Sequence, residues 1–236
     1  MREAGIKRIT GTNVDKNRQD FIVMHFLLED LENVISEYSK GLLLDIGCGN
    51  KPYEELFHGK INSYIGCDVV QSDLQRVDVI CEATNLDFES EVFDTVFSTQ
   101  VIEHVNDPFL MLKEAYRVMK KGGVIIVSAP FCWELHEEPY DFFRYSKYGL
   151  KSMFENSGFE VKLIKENGGK WAAVSQLWLN MIYSTFKSKK WYAKIWKGVF
   201  INLRFTSLFN SFFVWFDKKY PSYLLTLNYV VVAYKK

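Results

Sequence analysis

The feature that most constrains this 236-residue chain is an apolar run that ends in a pair of glycines. Leu42-Leu43-Leu44-Asp45-Ile46 is short and almost wholly apolar, and Gly47-Cys48-Gly49 follows it directly. A run of this length and composition is typical of a parallel strand that is covered on both faces. Glycines two positions apart allow the backbone to turn sharply and to approach a ligand closely. The string therefore predicts a buried strand and a ligand-binding loop at its carboxyl end.

Segments with strand and helix character alternate along the rest of the chain. Strand-like runs cover residues 64–68, 77–81, 93–98, 124–127, 159–164 and 228–234, and apolar residues at helical spacing cover 20–38, 108–119 and 147–156. Alternation of this kind predicts a three-layer α/β sandwich on a seven-stranded, mostly parallel sheet.

We expect one domain made of four parts. They are a helical lead over 1–40, a cofactor-binding core over 41–166, a basic and aromatic insert over 167–226, and a final strand over 227–236. The insert is too long for a bare loop, so its composition predicts added helices before the last strand.

The net charge of zero hides an asymmetry between two parts of the chain. Residues 1–186 carry 19 basic and 28 acidic side chains, whereas 187–219 carry eight basic ones and a single acid, Asp217. Basic residues beside Trp and Phe are typical of a helix that lies on an anionic membrane surface. The alternative is a helical lid whose aromatics pack on the sheet or on a second copy in a homodimer. Nucleic acid is not expected as a partner, because the rest of the chain is acidic.

Cysteine usage and hydropathy indicate the compartment. Cys48, Cys67, Cys81 and Cys132 form no C-x-x-C pair, which favours reduced thiols in the cytoplasm. The polar N-terminus does not resemble a secretory signal, and no uncharged apolar run reaches about 20 residues. We therefore expect a cytoplasmic protein, peripheral on the inner membrane face if the insert binds lipid.

The residues around the glycine loop indicate what it binds. Pro52 occupies the third glycine position of the dinucleotide fingerprint, which argues against a pyrophosphate there. Asp45 within the strand fits a cationic ligand better than a diphosphate. Asp68 ends the next strand and suits ribose hydroxyls, and Glu82 follows the third strand where it can meet an adenine amino group. These features predict a nucleoside with a positively charged tail.

At this point the chain resembles the class I S-adenosylmethionine-dependent methyltransferases. The resemblance rests on residues 44–49, Asp68, 93–105 and 112–123, and it covers roughly 40–166 and the final strand. It implies S-adenosylmethionine as the cofactor and the methyltransferase form of the Rossmann-like sheet. One departure is Lys51, which stands where this family usually has its third loop glycine.

The resemblance also implies roles for individual residues. The implied cofactor contacts are Asp45, Gly47, Cys48 and Gly49 for the methionine part, Asp68 for the ribose, Glu82 and Ala83 for the adenine, and Thr99 and Gln100 beside the reacting centre. His104 would border the same centre and is a catalytic candidate. Cys48 is interpreted as a small filler and not as a nucleophile, Asp94 as a structural acid, and Glu103 as either a cofactor-side contact or a cap.

The string His136 to Tyr145 follows the fifth strand and is rich in polar and aromatic side chains. His136 is the first candidate for a general base and Asp141 the second, since an oxygen acceptor of high pKa benefits from one. Candidate acceptor-binding residues are Tyr53, Tyr140, Arg144 and Tyr145. In the alternative interpretation, Arg144 and Asp141 form a structural ion pair. No H-E-x-x-H string is present, so no metal is predicted.

With residues 50–53, this string also looks like that of bacterial methyltransferases from envelope polysaccharide clusters. The predicted function is therefore methylation, on oxygen, of a small molecule, a saccharide or a lipid-linked saccharide. One alternative is a non-catalytic cofactor-binding or membrane-adaptor protein. Another is a nicotinamide-dependent oxidoreductase, against which Asp45 and the missing third glycine count.

Overall fold

A computed structural model describes residues 9–186, 191, 196, 198, 200 and 204–236 of the chain. The helices within these residues are α1 (Phe21–Tyr38), α2 (Pro108–Val118), α3 (Lys147–Asn156), α4 (Lys170–Phe186) and α5 (Phe205–Lys219). The strands are β1 (Leu42–Ile46), β2 (Ser63–Asp68), β3 (Val79–Ile80), β4 (Phe93–Thr99), β5 (Met119–Pro130), β6 (Phe159–Asn167) and β7 (Asn228–Lys235). Short 3-10 helices cover Glu54–Phe57 and Ile102–His104.

The strands form one sheet in the order β3-β2-β1-β4-β5-β7-β6. The first five strands pair in parallel, and β7 runs antiparallel to both β5 and β6. This confirms the predicted seven-stranded, mostly parallel α/β sheet. The chain order reverses between β1 and β4, and in open α/β sheets ligands bind at such a point, beyond the carboxyl ends of the strands.

Both faces of the sheet are covered, which explains the apolar runs. Leu44 and Ile46 point into the core beneath α2 and α3, whereas Leu43 packs in the core beneath α1. Because side chains alternate along a strand, Asp45 lies on the same face as Leu43. The buried carboxylate of β1 therefore faces the layer that contains α1.

Two strand predictions needed correction. The third strand is only Val79–Ile80, shorter than 77–81, because the Asp78 carboxylate accepts the N–H of Gly66 at 2.7 Å in place of a regular ladder. The fifth strand is longer than 124–127, since it begins at Met119 and contains an irregularity opposite Phe93 and Thr95.

Helices α4 and α5 lie between β6 and β7, where the insert was expected. The Asp217 carboxylate of α5 accepts the N–H groups of Gly169 at 2.8 Å and of Trp171 and Ala172 at 3.0 Å. It thereby satisfies the free donors at the start of α4. Gln176 of α4 accepts the N–H of Val23 at the start of α1, so the helical layer is joined through hydrogen bonds.

Most of the basic segment for which membrane contact is predicted lies outside the residues that the structure describes. Lys187, Lys190, Lys194 and Lys197 lie outside the described residues. Within the described part of the chain, no helix has the length and hydropathy needed to span a bilayer.

Candidate functional site

The glycine loop is folded tightly over the carboxyl ends of β1 and β2. Gly47 and Cys48 both donate their N–H groups to the carbonyl of Cys67, at 2.8 and 3.0 Å. Gly47 has φ +78°, and a Cβ at this position would lie 2.4 Å from a methyl group of Val101. Only glycine satisfies both conditions without strain.

Lys51 accounts for the departure from the usual loop. It adopts a left-handed backbone with φ 54°, a conformation that glycine adopts more easily. Its buried ammonium group lies 2.5 Å from the Asp78 carboxylate and 5.3 Å from the ring centre of Tyr64. These contacts hold the backbone of the loop without the third glycine.

Asp45 is an ionisable group that is buried beside this loop. Its side chain accepts a hydrogen bond from the Tyr64 hydroxyl, and the residue is 2% exposed. Burial raises its pKa to about 7, and this outweighs the lowering effect of Tyr64. Because the carboxylate lines a cleft, a cationic ligand in that cleft would stabilise its charged form.

One cleft, with a volume of about 580 Å³, opens beside the ends of β2 and β3. Asp68, Glu82 and Ala83 line it, together with Gln100 and His104. The Asp68 carboxylate accepts the N–H groups of Gly49 at 3.0 Å and Val69 at 2.7 Å, which fixes its orientation. The residues expected around ribose and adenine are therefore brought to one cavity.

A second cleft, of about 260 Å³, lies on the α1 side of the same loop. Its lining includes the predicted residues Asp45, Gly47, Cys48, Gly49, Tyr53, Thr99, Gln100, His104 and His136. Met24 of α1 and Trp133 after β5 add an apolar wall that sequence reasoning missed. No local signal marks these two residues, because the fold alone brings them to the cleft.

The two clefts share a short stretch of wall. Gly47, Gln100, Val101, His104 and Glu137 line both of them. Gln100 has a left-handed backbone with φ 53°, which is uncommon for a residue other than glycine. Its N–H donates to the Ser128 carbonyl at 3.1 Å and its side-chain amide to the Ser128 hydroxyl at 3.0 Å.

Thr99 is held by the same serine, through a hydrogen bond between the two hydroxyl groups. Its place is on the α1-side cleft, next to Gln100. The end of β4 is thus fixed against β5 where the two clefts meet.

Two imidazole rings and a buried carboxyl lie together at this junction. The ring centres of His104 and His136 are 4.7 Å apart and nearly perpendicular, at 77°. Glu103 is fully buried, and its carboxylate lies 3.8 Å from His104 Nε2. Burial raises the pKa of Glu103 to about 8. Neither of its carboxyl oxygens has a hydrogen-bond partner among the described residues.

Asp141 does not fit the predicted role of a second base. Arg144 donates to both of its oxygens, at 2.6 and 2.7 Å, and the side chain is 1% exposed. The Arg144 guanidinium holds the pKa of this carboxyl well below its usual range. Asp141 also accepts the His136 N–H at 2.9 Å, so it positions that histidine and is too weakly basic to remove a proton itself.

Two predicted acceptor-binding residues are also structural. Arg144 makes further hydrogen bonds to the carbonyl groups of Trp133, Glu134 and Phe143, so its donors are used within the loop. The Tyr145 hydroxyl is buried and donates to the Ile102 carbonyl at 3.0 Å. The ion-pair interpretation of Arg144 and Asp141 therefore describes the geometry. Tyr53 and Tyr140, in contrast, each line a cleft.

Asp94 has the structural role expected for it. Its carboxylate accepts the Leu42 N–H at 2.9 Å and pairs with Lys120 at 2.9 Å, which lowers its pKa although partial burial opposes this.

Comparison with known proteins shows which family the region around this site resembles. Residues 44–127 match the sequence model of a family described as "Methyltransferase domain". This segment contains most of β1, the glycine loop, Asp68 and most of β5, and these are the parts of the chain that resemble a methyltransferase domain.

Particular relatives resemble the chain only in part. An uncharacterised protein of Methanocaldococcus jannaschii is 28% identical over 147 residues, 60% of this chain and 70% of that protein. The ubiquinone biosynthesis O-methyltransferase of Ruegeria pomeroyi is 30% identical over 98 residues, 36% of this chain and 40% of the enzyme. The match to that enzyme thus spans well under half of its length.

Solved structures share the fold at low sequence identity. The [4+2]-cyclase SpnF superposes with a TM-score of 0.59 and 18% identity, over 98% of this chain and 88% of its own. Phosphoethanolamine N-methyltransferase 2 of Haemonchus contortus, solved with S-adenosyl-L-methionine, superposes at 0.54 with 18% identity, over 88% of this chain and 51% of its own. At this level of identity the likeness concerns the fold alone.

Proposed function

We propose that this protein transfers the methyl group of S-adenosylmethionine to a hydroxyl oxygen of a small acceptor molecule. The observation that carries the proposal is the meeting of two clefts at Gly47, Gln100 and His104. The larger cleft contains the acids suited to a nucleoside, and the smaller one contains Asp45, an apolar wall and two histidines. The nucleoside part of the donor would occupy the larger cleft, and its charged tail would pass Gly47 to reach Asp45 in the smaller cleft, where it meets the acceptor.

Each part of the cofactor has a partner of suitable chemistry in this proposal. Asp45 faces the positively charged methionine part, and Asp68 accepts hydrogen bonds from the ribose hydroxyls. Glu82 and Ala83 border the adenine. Since the cofactor carries the reactive methyl group, the protein has to position the acceptor and to assist loss of its proton. His104 and His136 lie where that assistance is needed.

The acceptor cleft favours a molecule that has both an apolar part and a hydroxyl group. Met24, Tyr53 and Trp133 supply the apolar wall, and the imidazoles supply the polar end. The similarity to ubiquinone biosynthesis O-methyltransferases supports an oxygen acceptor. Within this class we favour a lipid-linked saccharide, for which the resemblance of residues 50–53 and 136–145 to envelope polysaccharide methyltransferases is the support.

The exposed faces of α4 and α5 support a membrane location for such an acceptor. Apolar side chains follow helical spacing on each helix and are at least half exposed; they are Val174, Trp178 and Met181 on α4, and Leu208, Phe212 and Trp215 on α5. Lys219 lies over the Trp215 ring at 4.9 Å. Exposed aromatic and basic side chains together are typical of peripheral membrane contact. We therefore propose a protein that lies on the cytoplasmic membrane face.

Cofactor specificity is the first test of the proposal. Titration calorimetry with S-adenosylhomocysteine is expected to show one site per chain, and NAD is expected not to bind. Binding of NAD alone would establish the oxidoreductase alternative. Binding of neither ligand would refute the cofactor site.

Methyl transfer is the second test. Radiolabelled S-adenosylmethionine is incubated with lipid-linked saccharides, free saccharides and phenols, and label in the acceptor is counted. Label in a phenol or a free saccharide would overturn the lipid-linked preference and leave the reaction type intact. Cofactor binding with no transfer to any acceptor of these classes would favour a non-catalytic adaptor.

Vesicle flotation tests the membrane surface. The triple variant Leu208→Ser, Phe212→Ser, Lys219→Glu is expected to bind anionic vesicles at least about tenfold more weakly, because two apolar anchors and one charge are lost. Tyr148→Ser, an exposed aromatic change on α3, is the matched control. Equal flotation of the parent, the triple variant and Tyr148→Ser would refute the membrane proposal. A dimer in sedimentation that the triple variant dissociates would instead assign this face to a homodimer.

A further inference from the structure

Glu103, His104 and His136 form a cluster that the sequence did not predict as a unit. Each offers one ligand atom, and these atoms all lie within 4.8 Å of one another. We propose that the cluster binds a divalent transition-metal ion of the zinc type, which holds the acceptor oxygen. The role of the ion in catalysis rests on the proposed function, whereas its binding does not.

The hydrogen bonding of His104 identifies its ligand atom. Its Nδ1 lies 2.7 Å from the Tyr140 carbonyl oxygen. A carbonyl only accepts hydrogen bonds, so Nδ1 carries the proton and Nε2 presents a lone pair. That same Nε2 faces the Glu103 carboxylate at 3.8 Å. A backbone carbonyl that fixes the tautomer in this way is common behind metal-binding histidines.

His136 is arranged in the same way. Its Nδ1 lies 3.2 Å from both the Glu134 carbonyl and the Asp141 carboxylate, and an Arg144 nitrogen is farther away at 3.5 Å. The two nearer oxygens favour a proton on Nδ1, which leaves Nε2 as the ligand atom. A carboxylate behind a histidine raises the basicity of the ligand nitrogen and orients the ring. In this proposal, the two hydrogen bonds from Arg144 fix the Asp141 carboxylate so that it can orient His136 as a ligand.

Glu103 supplies the negative charge. It is fully buried, and within the described part of the chain neither carboxyl oxygen has a hydrogen-bond partner. A buried polar group without a partner is costly, so an observed one calls for an explanation. A cation between Glu103 and the two imidazoles would supply the missing contact.

The ligand set favours a particular class of ion. Two histidines and one glutamate are a known set for catalytic zinc, in which a fourth position stays open. Imidazole nitrogens favour Zn²⁺, Co²⁺ or Ni²⁺, whereas Mg²⁺ and Ca²⁺ prefer oxygen ligands. Ligand atoms around tetrahedral zinc are roughly 3.3 Å apart, given bonds of about 2.0–2.1 Å. The ligand atoms must therefore move closer together by up to about 1.5 Å, and the His136 side chain, which is 31% exposed, has room to rotate.

The open position would face the acceptor. His104 and His136 both line the α1-side cleft, so a hydroxyl bound there can reach the ion. Coordination to a divalent metal lowers the pKa of a bound hydroxyl, whose proton passes to solvent. The oxygen lone pair then forms the bond to the methyl carbon. The electron pair of the breaking carbon–sulfur bond stays on sulfur and yields the neutral thioether, S-adenosylhomocysteine.

Cobalt titration tests the binding step directly. The full-length protein is freed of metal with a chelator and titrated with Co²⁺, whose visible absorption reports its ligands. We expect one tight site per chain in the parent and in His58→Gln, which changes an exposed histidine that lines neither cleft. His104→Gln, His136→Gln and Glu103→Gln should each bind at least tenfold more weakly. Mg²⁺ should not compete, but Zn²⁺ should.

The outcomes separate this proposal from the proposed function. S-adenosylhomocysteine binding is measured on the same samples, so a folded variant that keeps the cofactor but loses Co²⁺ supports the metal site. A parent that binds Co²⁺ no more tightly than the His136→Gln variant overturns it, even if the cofactor binds normally. Should the variants not fold, the parent remains decisive: no saturable Co²⁺ site, or an absorption spectrum without tetrahedral nitrogen ligation, refutes the cluster as a metal site.

Discussion

Asp45→Asn tests the electrostatic basis of cofactor binding. The Asp45 carboxyl is buried and its pKa is raised to about 7, above the ordinary value of 3.8. In the proposed function, it is the charged form that meets the positive methionine part of the cofactor. Binding of S-adenosylhomocysteine, which keeps the amino group of that part, should therefore strengthen as the pH rises toward 7 and level off above it.

The magnitude follows from the ionised fraction. With a pKa near 7, roughly one tenth of the carboxyl is charged at pH 6 and roughly nine tenths at pH 8. The parent should thus bind about tenfold more tightly at pH 8 than at pH 6, which corresponds to about 1.4 kcal/mol. Asp45→Asn should bind about 1–3 kcal/mol more weakly at pH 8, because a hydrogen bond to a charged group is lost. Its own affinity should vary little over this interval.

The assay is calorimetry of S-adenosylhomocysteine binding at several pH values from 6 to 8. Other groups that titrate in this interval affect parent and variant alike, so the difference between the two curves isolates Asp45. The parent should also release a proton on binding at pH 6, which buffers of different ionisation enthalpy detect. Parallel curves for parent and variant would refute the assignment of Asp45 to the positive end of the cofactor.

The same carboxyl makes a prediction for the ligand-free protein. A raised pKa means that the folded state holds a proton between about pH 4 and pH 7 that the unfolded chain has already lost. Relative to Asp45→Asn, the parent should therefore lose stability as the pH rises through this window, by up to about 4 kcal/mol. Urea unfolding at pH 4.5 and pH 7 measures the difference, and an equal response of both proteins would contradict the raised pKa.

Three further substitutions test the supports of the site. Arg144→Met should lower the free energy of unfolding by about 3 kcal/mol in urea, because Asp141 stays buried without its partner; a loss below about 1 kcal/mol would contradict this. Gly47→Ala should weaken S-adenosylhomocysteine binding more than tenfold in calorimetry, since a Cβ meets Val101 at 2.4 Å and φ is +78°; unchanged affinity would show that the loop adapts. Asp217→Ala should cost about 1–2 kcal/mol in thermal unfolding through loss of the cap on α4, and an unchanged midpoint would argue against that cap.

The helices and strands could be predicted because each depends on the spacing of apolar residues within its own segment. The run Leu42–Ile46 is apolar on both faces, and α1 and α2 have apolar residues at helical spacing, so each element carries its own pattern. The predicted length of the third strand was wrong for a reason that this pattern does not contain. Asp78 uses its carboxylate to accept the Gly66 N–H, and a side chain that replaces a ladder hydrogen bond leaves no trace in hydropathy.

The two clefts also differ in how far their lining residues could be predicted from the sequence. Asp45, Gly47 and Asp68 could be predicted to lie near one another because they stand at the ends of strands, and parallel strands bring such positions to one edge. Met24 and Trp133 could not be predicted, since they reach the α1-side cleft only through the packing of α1 and the loop after β5.

Asp141 shows a different limit of sequence reasoning. A base and an ion-paired carboxylate require the same residue type in the same polar string, so residues 136–145 were compatible with both roles. The decision depends on two distances, 2.6 and 2.7 Å to Arg144, that only the folded loop provides.

Asp45 connects the fold to the proposed cofactor site. It lies on the face of β1 that Leu43 shares, where an apolar residue would pack more favourably beneath α1. A carboxyl there is compensated only in part by the Tyr64 hydroxyl, which explains why its pKa remains raised. In the proposed complex, a positive charge in the cleft would lower this cost, so part of the binding free energy would come from better stabilisation of the Asp45 carboxylate. A ligand of the same shape without that charge should bind little better to the parent than to Asp45→Asn.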